Sequence, residues 1–401
     1  MNDLLADADL CVKCGLCLPH CPTYNKTQDE NESPRGRIAL IQAWAGGHLE
    51  ASKKLVDHID NCLLCRSCEQ ACPAVVPYAQ LVNNFREQIS DQRATTLAVS
   101  LLKKVSHNKT VSHLAQSGLR FYQTTALQKT ARTLRLPGLF RLGNMDRLLP
   151  DYLQPTTLLP FYPATVTARG HVGLFAGCMG MLLDHQTVAA AIKVLTASGF
   201  NVSIPEQQGC CGALALHDGD KETYQQLAAI NGSAFAVPNL DAIITIASGC
   251  GGQLQEYQQT DVAGKVIDIS QFLIRSGVDL SERLTPFSAT VCLHTPCSLK
   301  NVMHEEQGAM KLLQQIPEIN IAALPGSIQC CGSAGSYMLD HPQMAQALLG
   351  DLLGIALEHP PEILVSSNIG CALHISAGLR ERGLVLEVVH PIVLIARQLK
   401  Q

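Results

Sequence analysis

The arrangement of 17 cysteines among 401 residues is the feature that most constrains this chain. Two runs near the N-terminus share the spacing C-x2-C-x2-C-x3-C-P. The first reads CVKCGLCLPHCP from Cys11 to Pro22, and the second reads CLLCRSCEQACP from Cys62 to Pro73. In a long chain without a secretory signal, so many cysteines favour metal or redox chemistry over a framework of disulfides.

This spacing is typical of modules that hold two [4Fe–4S] clusters, in which the fourth cysteine of each run binds the other cluster. Structural zinc and disulfides are the alternatives, but zinc sites usually pair two C-x2-C knuckles instead of two runs of four. The pattern predicts a first ligand set of Cys11, Cys14, Cys17 and Cys72, and a second of Cys62, Cys65, Cys68 and Cys21.

The segment ESPRGRI lies between the two runs and predicts a helix capped by Ser33 and opened by Pro34. Arg35 and Arg37 fall in its first turn. They could donate hydrogen bonds to a cluster or a partner, or they could be solvated, and the sequence leaves both interpretations open.

Composition and charge exclude several classes of protein. The chain is 47% apolar and 16% charged with a net charge of −4, which suits a globular protein and gives no reason to expect a nucleic-acid partner. The acidic start MNDLLADADLCVKC lacks the basic and apolar regions of a secretory signal. No apolar run approaches the roughly 20 residues that span a bilayer. We therefore predict a cytoplasmic protein, at most peripheral on the inner face of the cell membrane.

Residues 81–165 are predicted to form a basic helical connector. Positions 81–150 contain eleven Lys and Arg against three acidic residues. The segment LAVSLLKKVSHNKTVSHLAQ has helical apolar spacing, so a basic face could contact an anionic membrane or an acidic partner. An ordinary connector with a solvated basic face is the alternative. The proline-rich segment LLPDYLQPTTLLPFYP predicts a domain linker.

The C-terminal half contains a repeat defined by its cysteines. In the first copy, 32 residues separate Cys178 from Cys210, and 39 separate Cys211 from Cys250. The corresponding steps are 33 and 40 residues in the second copy. Apolar runs that alternate with helical patterns predict two α/β units, residues 166–280 and 281–401, after an N-terminal module over 1–80. The overall prediction is an α+β chain.

Each copy has cysteines just after β-like runs, where ligand sites form in parallel α/β sheets. Three strand ends would therefore bring four thiols together, and Gly212 and Gly332 let the backbone turn tightly behind each adjacent pair. The predicted sites are Cys178, Cys210, Cys211 and Cys250 in the first unit, and Cys297, Cys330, Cys331 and Cys371 in the second.

The chain resembles the iron–sulfur subunits of bacterial glycolate oxidase over nearly its full length. The resemblance rests on the double cysteine run, SPRGRI, GCCGA, ASGC, CCGSAGSY and NIGC. The CCG unit is similar to units of heterodisulfide reductases, lactate oxidation proteins and an anaerobic glycerol-3-phosphate dehydrogenase subunit. This resemblance implies one or two further iron–sulfur clusters in the CCG half.

The chain departs from that wider pattern at two positions. Complete CCG units end in C-x2-C, but Gln253 and His374 stand here where the last cysteine is expected. Four thiolates per unit still suffice for a cubane cluster. His374 could act as a fifth ligand or proton donor, although a buried structural histidine is the favoured interpretation. Cys292 fits neither set of four and is predicted to be a buried free thiol.

The chain has no G-x-G-x-x-G fingerprint and no other recognisable flavin site, although oxidation of a 2-hydroxy acid by hydride transfer requires a flavin or nicotinamide. The resemblance therefore implies an electron-transfer subunit beside an FAD-containing flavoprotein that oxidises glycolate, with a quinone or another acceptor. D-Lactate and glycerol 3-phosphate are alternative substrates of such a complex. Disulfide reduction at a CCG site and a regulatory iron–sulfur protein are further alternatives.

Overall fold

The computed structural model describes residues 2–93, 95–125, 127–134, 136–139, 142–150, 157–258, 260–324 and 330–400. Over these ranges the chain forms a helical module, a run of connecting helices and two α/β units. The predicted α+β class with a duplicated α/β half is therefore confirmed. No helix in the described ranges is both long and apolar enough to cross a lipid bilayer.

The N-terminal module is built from short helices, and most of its cysteines lie in the loops between them. Ser33 caps the third helix as predicted, because its Oγ accepts a hydrogen bond from Gly36 N at 2.9 Å. Trp44 and Phe85 pack edge to face in the core at 4.9 Å between ring centroids. The helices are α1 (Asn2–Asp9), α2 (Pro22–Thr27), α3 (Pro34–Ala45), α4 (Lys53–Asp60), α5 (Ser67–Gln70) and α6 (Tyr78–Gln88).

The connector is helical, as predicted. Thr96 and Asn108 cap its first two helices through their side-chain oxygens. Residues 151–156 of the predicted linker, and Arg135 and Arg141 of the basic set, lie outside the described residues. The helices are α7 (Leu97–His107), α8 (Lys109–Thr124), α9 (Leu127–Thr133), α10 (Leu136–Leu139) and α11 (Gly143–Leu148).

The first α/β unit has a five-stranded sheet in the order β1-β3-β2-β4-β5, parallel except for β1. The β1 strand falls within the range predicted as connector and pairs with β3. The strands are β1 (Phe161–Tyr162), β2 (Gly170–Phe175), β3 (Phe200–Ser203), β4 (Ala242–Thr245) and β5 (Val266–Asp268). The helices are α12 (Gly177–Leu183), α13 (His185–Ala197), α14 (Ala213–His217), α15 (Lys221–Ala234), α16 (Ser248–Gln255) and α17 (Ile269–Arg275).

The second unit has a four-stranded parallel sheet in the order β7-β6-β8-β9, which reproduces β3-β2-β4-β5 of the first. The strands are β6 (Thr290–His294), β7 (Asn320–Ala323), β8 (Ile363–Ser366) and β9 (Glu387–Val389). The helices are α18 (Gln307–Leu313), α19 (Tyr337–Asp340), α20 (Pro342–Ala356), α21 (Ile369–Glu381) and α22 (Pro391–Gln398).

The two units share one apolar core. Leu195 and Ile244 of the first unit and Val365 and Leu394 of the second belong to the same buried cluster. The inner strands β4 and β8 are buried at every residue, as expected of parallel sheets covered on both faces. This joint core fixes the carboxyl ends of the two sheets, where the paired cysteines lie, relative to each other.

Candidate metal centres

Two cavities divide the eight cysteines of the module. We call them the outer cavity, which opens beside the exposed Cys14, and the inner cavity, which contains the buried Cys21. Cys68 lines both. The outer cavity is otherwise lined by Cys11, Cys14, Cys17 and Cys72, and the inner cavity by Cys21, Cys62 and Cys65. The fourth cysteine of each run thus lies with the other run, which is the arrangement that crosswise ligation requires, while the ligand sets themselves stay a prediction.

Arg37 of α3 is a buried cation behind the inner cavity, with only 1% of its surface exposed. Its Nη2 donates to Glu32 Oε2 at 2.5 Å and its Nε donates to the His58 carbonyl at 2.7 Å. Its Nη1 lies 4.0 Å from Cys21 Sγ. Of the two interpretations left open for this arginine, solvation is wrong, because the side chain points inward from the first turn.

Arg35 behaves differently, since it is partly exposed and its Nε donates to Glu30 Oε1 at 2.6 Å. Its Nη1 also reaches the carbonyl of Lys13, in the loop of the outer cavity, at 3.2 Å. The two arginines of one helical turn therefore have different roles. Arg37 places a buried positive charge beside a cysteine, whereas Arg35 holds the first cysteine loop from outside.

Polar groups around the inner cavity point at its sulfur atoms. Thr23 Oγ1 lies 3.3 Å from Cys21 Sγ, and the Tyr78 hydroxyl donates to Cys62 Sγ at 3.6 Å. Burial raises the pKa of Tyr78, which keeps the phenol protonated and able to donate. Hydrogen bonds of this kind tune the potential of a cluster bound by the same sulfurs.

The first CCG unit brings its four predicted cysteines into one chain of contacts. Cys178 of α12 hydrogen-bonds with Cys210, which contacts Cys211, and Cys211 in turn hydrogen-bonds with Cys250 of α16. The outer two cysteines follow β2 and β4, and the pair follows β3 after a loop. The three strand ends meet as the sequence predicts.

The loop that carries this pair is held by side chains that the sequence analysis missed. Asn231 Nδ2 donates to the Cys210 carbonyl at 2.8 Å, and the Tyr257 hydroxyl donates to the Cys211 carbonyl at 2.9 Å. Gly212 has φ +81°, and its N–H donates to Cys210 Sγ at 3.5 Å. No local signal marks Asn231 or Tyr257, because each lies more than one element away from the pair.

The second CCG unit repeats the arrangement. Cys297 hydrogen-bonds with Cys330, and Cys331 hydrogen-bonds with Cys371 of α21. Gly332 also has φ +81° and donates its N–H to Cys330 Sγ, at 3.4 Å. Asn368 Nδ2 adds a further donor to Cys371 Sγ at 3.3 Å.

His294 distinguishes the second site from the first. A ring nitrogen of this histidine and the sulfurs of Cys331 and Cys371 all lie within 4.8 Å of one another. All three residues are buried. The sequence analysis missed His294, because it considered histidine only where the wider family pattern has its last cysteine.

These thiols fit a metal centre better than a core of neutral cysteines. All 17 cysteines are free, so no disulfide accounts for the grouping. The hydrogen bond to Cys371, followed by burial, raises the pKa of Cys331 well above its usual value, and the hydrogen bond to Cys210 together with burial does the same for the pKa of Cys178. Grouped buried thiols resist ionisation by themselves, but a bound cation reverses this by stabilising the thiolates.

Three residues outside the predicted quartets can now be placed. His374 is buried, with Nε2 3.3 Å from the Ala345 carbonyl and Nδ1 3.2 Å from Arg147 Nη2, so its ring is held by the protein in the structural role that was favoured. Gln253 is buried at the first site. Cys292 lies buried in β6, where burial raises its pKa to about 11, as expected of a free core thiol.

The inner cavity adjoins the second CCG site. Burial and then the neighbouring Cys297 raise the pKa of Cys65, and Cys65 adds to the hydrogen bond and burial that raise the pKa of Cys330. The Cys65 carbonyl accepts a hydrogen bond from Asn301 Nδ2 at 2.8 Å. The Tyr337 hydroxyl donates to Asn61 Oδ1 at 2.6 Å across the same junction. The module is thus docked with its inner cysteines against the second site.

Comparisons with known families agree with this division of the chain. Residues 7–76 match the family described as "4Fe-4S dicluster domain". Residues 172–255 and 291–376 each match the family described as "Cysteine-rich domain". The chain is therefore an iron–sulfur protein that joins a dicluster module to two CCG domains.

Similar proteins narrow the family further. The probable glycolate oxidase iron-sulfur subunit of Bacillus subtilis (strain 168) is 31% identical, over 93% of this chain and 89% of that protein. The glycolate oxidase iron-sulfur subunit of Escherichia coli (strain K12) is 29% identical, over 92% and 90%. A fumarate reductase (CoM/CoB) subunit of Methanothermobacter marburgensis is 29% identical, over 93% of this chain and 68% of that protein. The chain belongs to the family of glycolate oxidase iron–sulfur subunits, and iron–sulfur clusters are its cofactors.

Proposed function

We propose that this chain carries electrons within a complex that oxidises glycolate to glyoxylate on a separate FAD-containing subunit. The observation that carries the proposal is the continuous run of buried cysteine groups from the module into the second CCG unit. Cys65 and Cys297 lie next to each other at the junction of these two groups. Iron–sulfur clusters, when bound, supply one-electron transfer over such a path.

The ligand sets follow the grouping of the thiols. Two [4Fe–4S] clusters take the crosswise sets of the module, and each CCG unit offers a quartet of its own. Cys68 in the wall between the outer and inner cavities keeps the first two centres close together. Buried Arg37 and Tyr78 favour the more negative, reduced state of the inner centre, because one adds positive charge and the other donates a hydrogen bond.

Electrons enter most readily where the module is least covered. Cys14 is exposed, and Val12 and Val75 beside the outer cavity are 71% and 77% exposed. Leu10 and Leu16 extend this apolar surface. An apolar patch above a redox centre favours docking of the flavoprotein partner there. In V12D the partner should bind more weakly, whereas V385D, at a fully exposed valine of the second unit, should leave binding unchanged.

The connector supports contact with a membrane, where a quinone acceptor is reached. Much of its positive charge is used internally, as in the ion pairs of Lys103 with Asp218 and of Arg132 with Asp146. Lys104, Arg120 and Lys129 stay exposed beside an apolar surface. That surface comprises Leu114, Phe121, Leu127, Leu134, Leu136 and Leu139.

Apolar and cationic groups on one helical surface favour an anionic lipid interface. Sedimentation with vesicles that contain anionic lipid tests this part of the proposal. The wild-type chain should sediment with them, F121S should sediment less, and V385S should match the wild type. Equal sedimentation of all three would contradict the assignment of this surface.

D-Lactate is the alternative substrate of the complex, because lactate utilization protein A of Shouchella clausii is 24% identical over 55% of this chain. The choice between substrates lies with the flavoprotein. The metal content of this chain tests the shared part of the proposal. Protein purified without oxygen should contain at least about eight iron atoms and give EPR signals of reduced [4Fe–4S] clusters. Zinc in place of iron would overturn it.

A further inference from the structure

The two CCG sites are unequal at the end of their first strand. Phe175 closes β2 in the first unit, and His294 occupies the corresponding end of β6 in the second. Both residues lie three positions before the first cysteine of their quartet, Cys178 and Cys297. The duplication therefore offers an internal comparison of one position with two different side chains.

Phe175 makes the first site apolar on this side. Its ring belongs to the buried cluster that contains Cys210 and Cys211 and that contacts Cys178 and Cys250. A phenyl ring offers no lone pair to a metal. The donors of the first site are consequently its four sulfurs.

His294 gives the second site a nitrogen at the same place. Its ring is 1% exposed, and one ring nitrogen lies within 4.8 Å of the Cys331 and Cys371 sulfurs. Nδ1 shares a hydrogen bond of 2.9 Å with Ser366 Oγ at the end of β8. A hydrogen bond of this kind typically fixes the orientation of a metal-binding imidazole.

His374 is the competing histidine of this unit. It stands three residues after Cys371, but its two ring nitrogens face the Ala345 carbonyl and the Arg147 guanidinium. Its ring is thus held away from the sulfurs by the protein. His294 approaches two of the four sulfurs without such a restraint on both sides of the ring.

We propose that His294 is a ligand of the centre in the second CCG site, so that this site has mixed thiolate and imidazole donors while the first has thiolates alone. This inference rests on the proposed iron–sulfur function. A neutral imidazole leaves a cluster less negative than a thiolate would, as in centres where histidine replaces cysteine and the potential is higher. The second CCG centre is then the better electron acceptor of the two.

The test uses the full-length chain labelled with [15N]histidine and purified without oxygen. Pulsed EPR, in the redox state in which the second CCG centre is paramagnetic, should detect a directly bound histidine nitrogen. The signal should vanish in H294C and persist in H374Q, the matched control. Because H294C retains a ligand at this position, it should keep its iron while the potential of this centre falls.

Iron content separates the two ways in which the idea can fail. Iron that C331S loses, together with no histidine coupling in the wild type, would overturn the role of His294 and leave the proposed function intact. If C331S loses no iron, the second site holds no cluster, and both the site and the ligand are refuted. A histidine signal that survives in H294C would also overturn the assignment.

Discussion

Replacing Arg37 by methionine removes the buried cation behind the inner cavity while keeping a side chain of similar length. In the native chain the guanidinium donates to Glu32 and lies 4.0 Å from Cys21 Sγ. With an effective dielectric constant of 20, two unit charges about 6 Å apart interact by roughly 3 kcal/mol. For a one-electron couple this energy corresponds to about 130 mV.

The nearby carboxylate of Glu32 offsets part of this field, so the net shift should be smaller. We expect the midpoint potential of the inner cluster to fall by roughly 50–100 mV in R37M. The variant should also lose about 3 kcal/mol of stability, because Glu32 is left as a buried carboxylate without its cation. His58 and Asn61 still contact this carboxylate at 2.6 Å, which limits the loss.

An EPR-monitored redox titration of anaerobically prepared protein measures the shift. R35M is the matched control, because Arg35 lies in the same helical turn but pairs with Glu30 at the surface. Its effect on the inner cluster should be small. An unchanged potential in R37M, or equal shifts in the two variants, would refute the electrostatic role of the buried arginine.

Three further predictions concern the CCG units and the way the module docks on them. In G332A the added Cβ would lie 2.4 Å from the Ala345 carbonyl at φ +81°, so iron should be lost from the second site, whereas G354A, where no atom lies within 4 Å, should keep it. Burial raises the pKa of Glu305 from 4.5 to about 7, so its contribution to stability is complete below pH 4.5 and is lost as the pH rises through 7. Urea unfolding should therefore show a loss of about 1 kcal/mol from pH 6 to pH 8 that is absent in E305Q; equal profiles would contradict this. Arg86 donates to the Cys62 and His217 carbonyls at 3.2 Å, so R86M should loosen the module from the first unit, and limited proteolysis should detect this as faster cleavage near residue 90.

Local patterns predicted the module and the repeat well. The capped start of α3 at Ser33 depends on neighbours within three residues, so a short segment is enough to predict it. The CCG pairs were predicted to lie beyond strand ends, because periodicity identified the strands and parallel sheets align their carboxyl ends. The matching strand orders of the two sheets confirm the duplication.

Long-range contacts could not be predicted in the same way. The burial of Arg37 depends on Glu32 and on the His58 carbonyl, which the fold brings together. The position of Cys65 beside Cys297 depends on how the module docks, and no local pattern encodes docking. His294 was missed for a related reason, because its proximity to Cys331 arises from the meeting of separate strand ends.

The most direct test of the central claim is EPR of the purified complex with its flavoprotein partner, frozen after addition of glycolate without oxygen. The account predicts that glycolate produces the signal of reduced [4Fe–4S] clusters, and that C65S weakens transfer beyond the module while the flavin is still reduced. Reduction of the flavin by glycolate without any reduction of the iron–sulfur clusters would contradict the role of this chain as electron carrier.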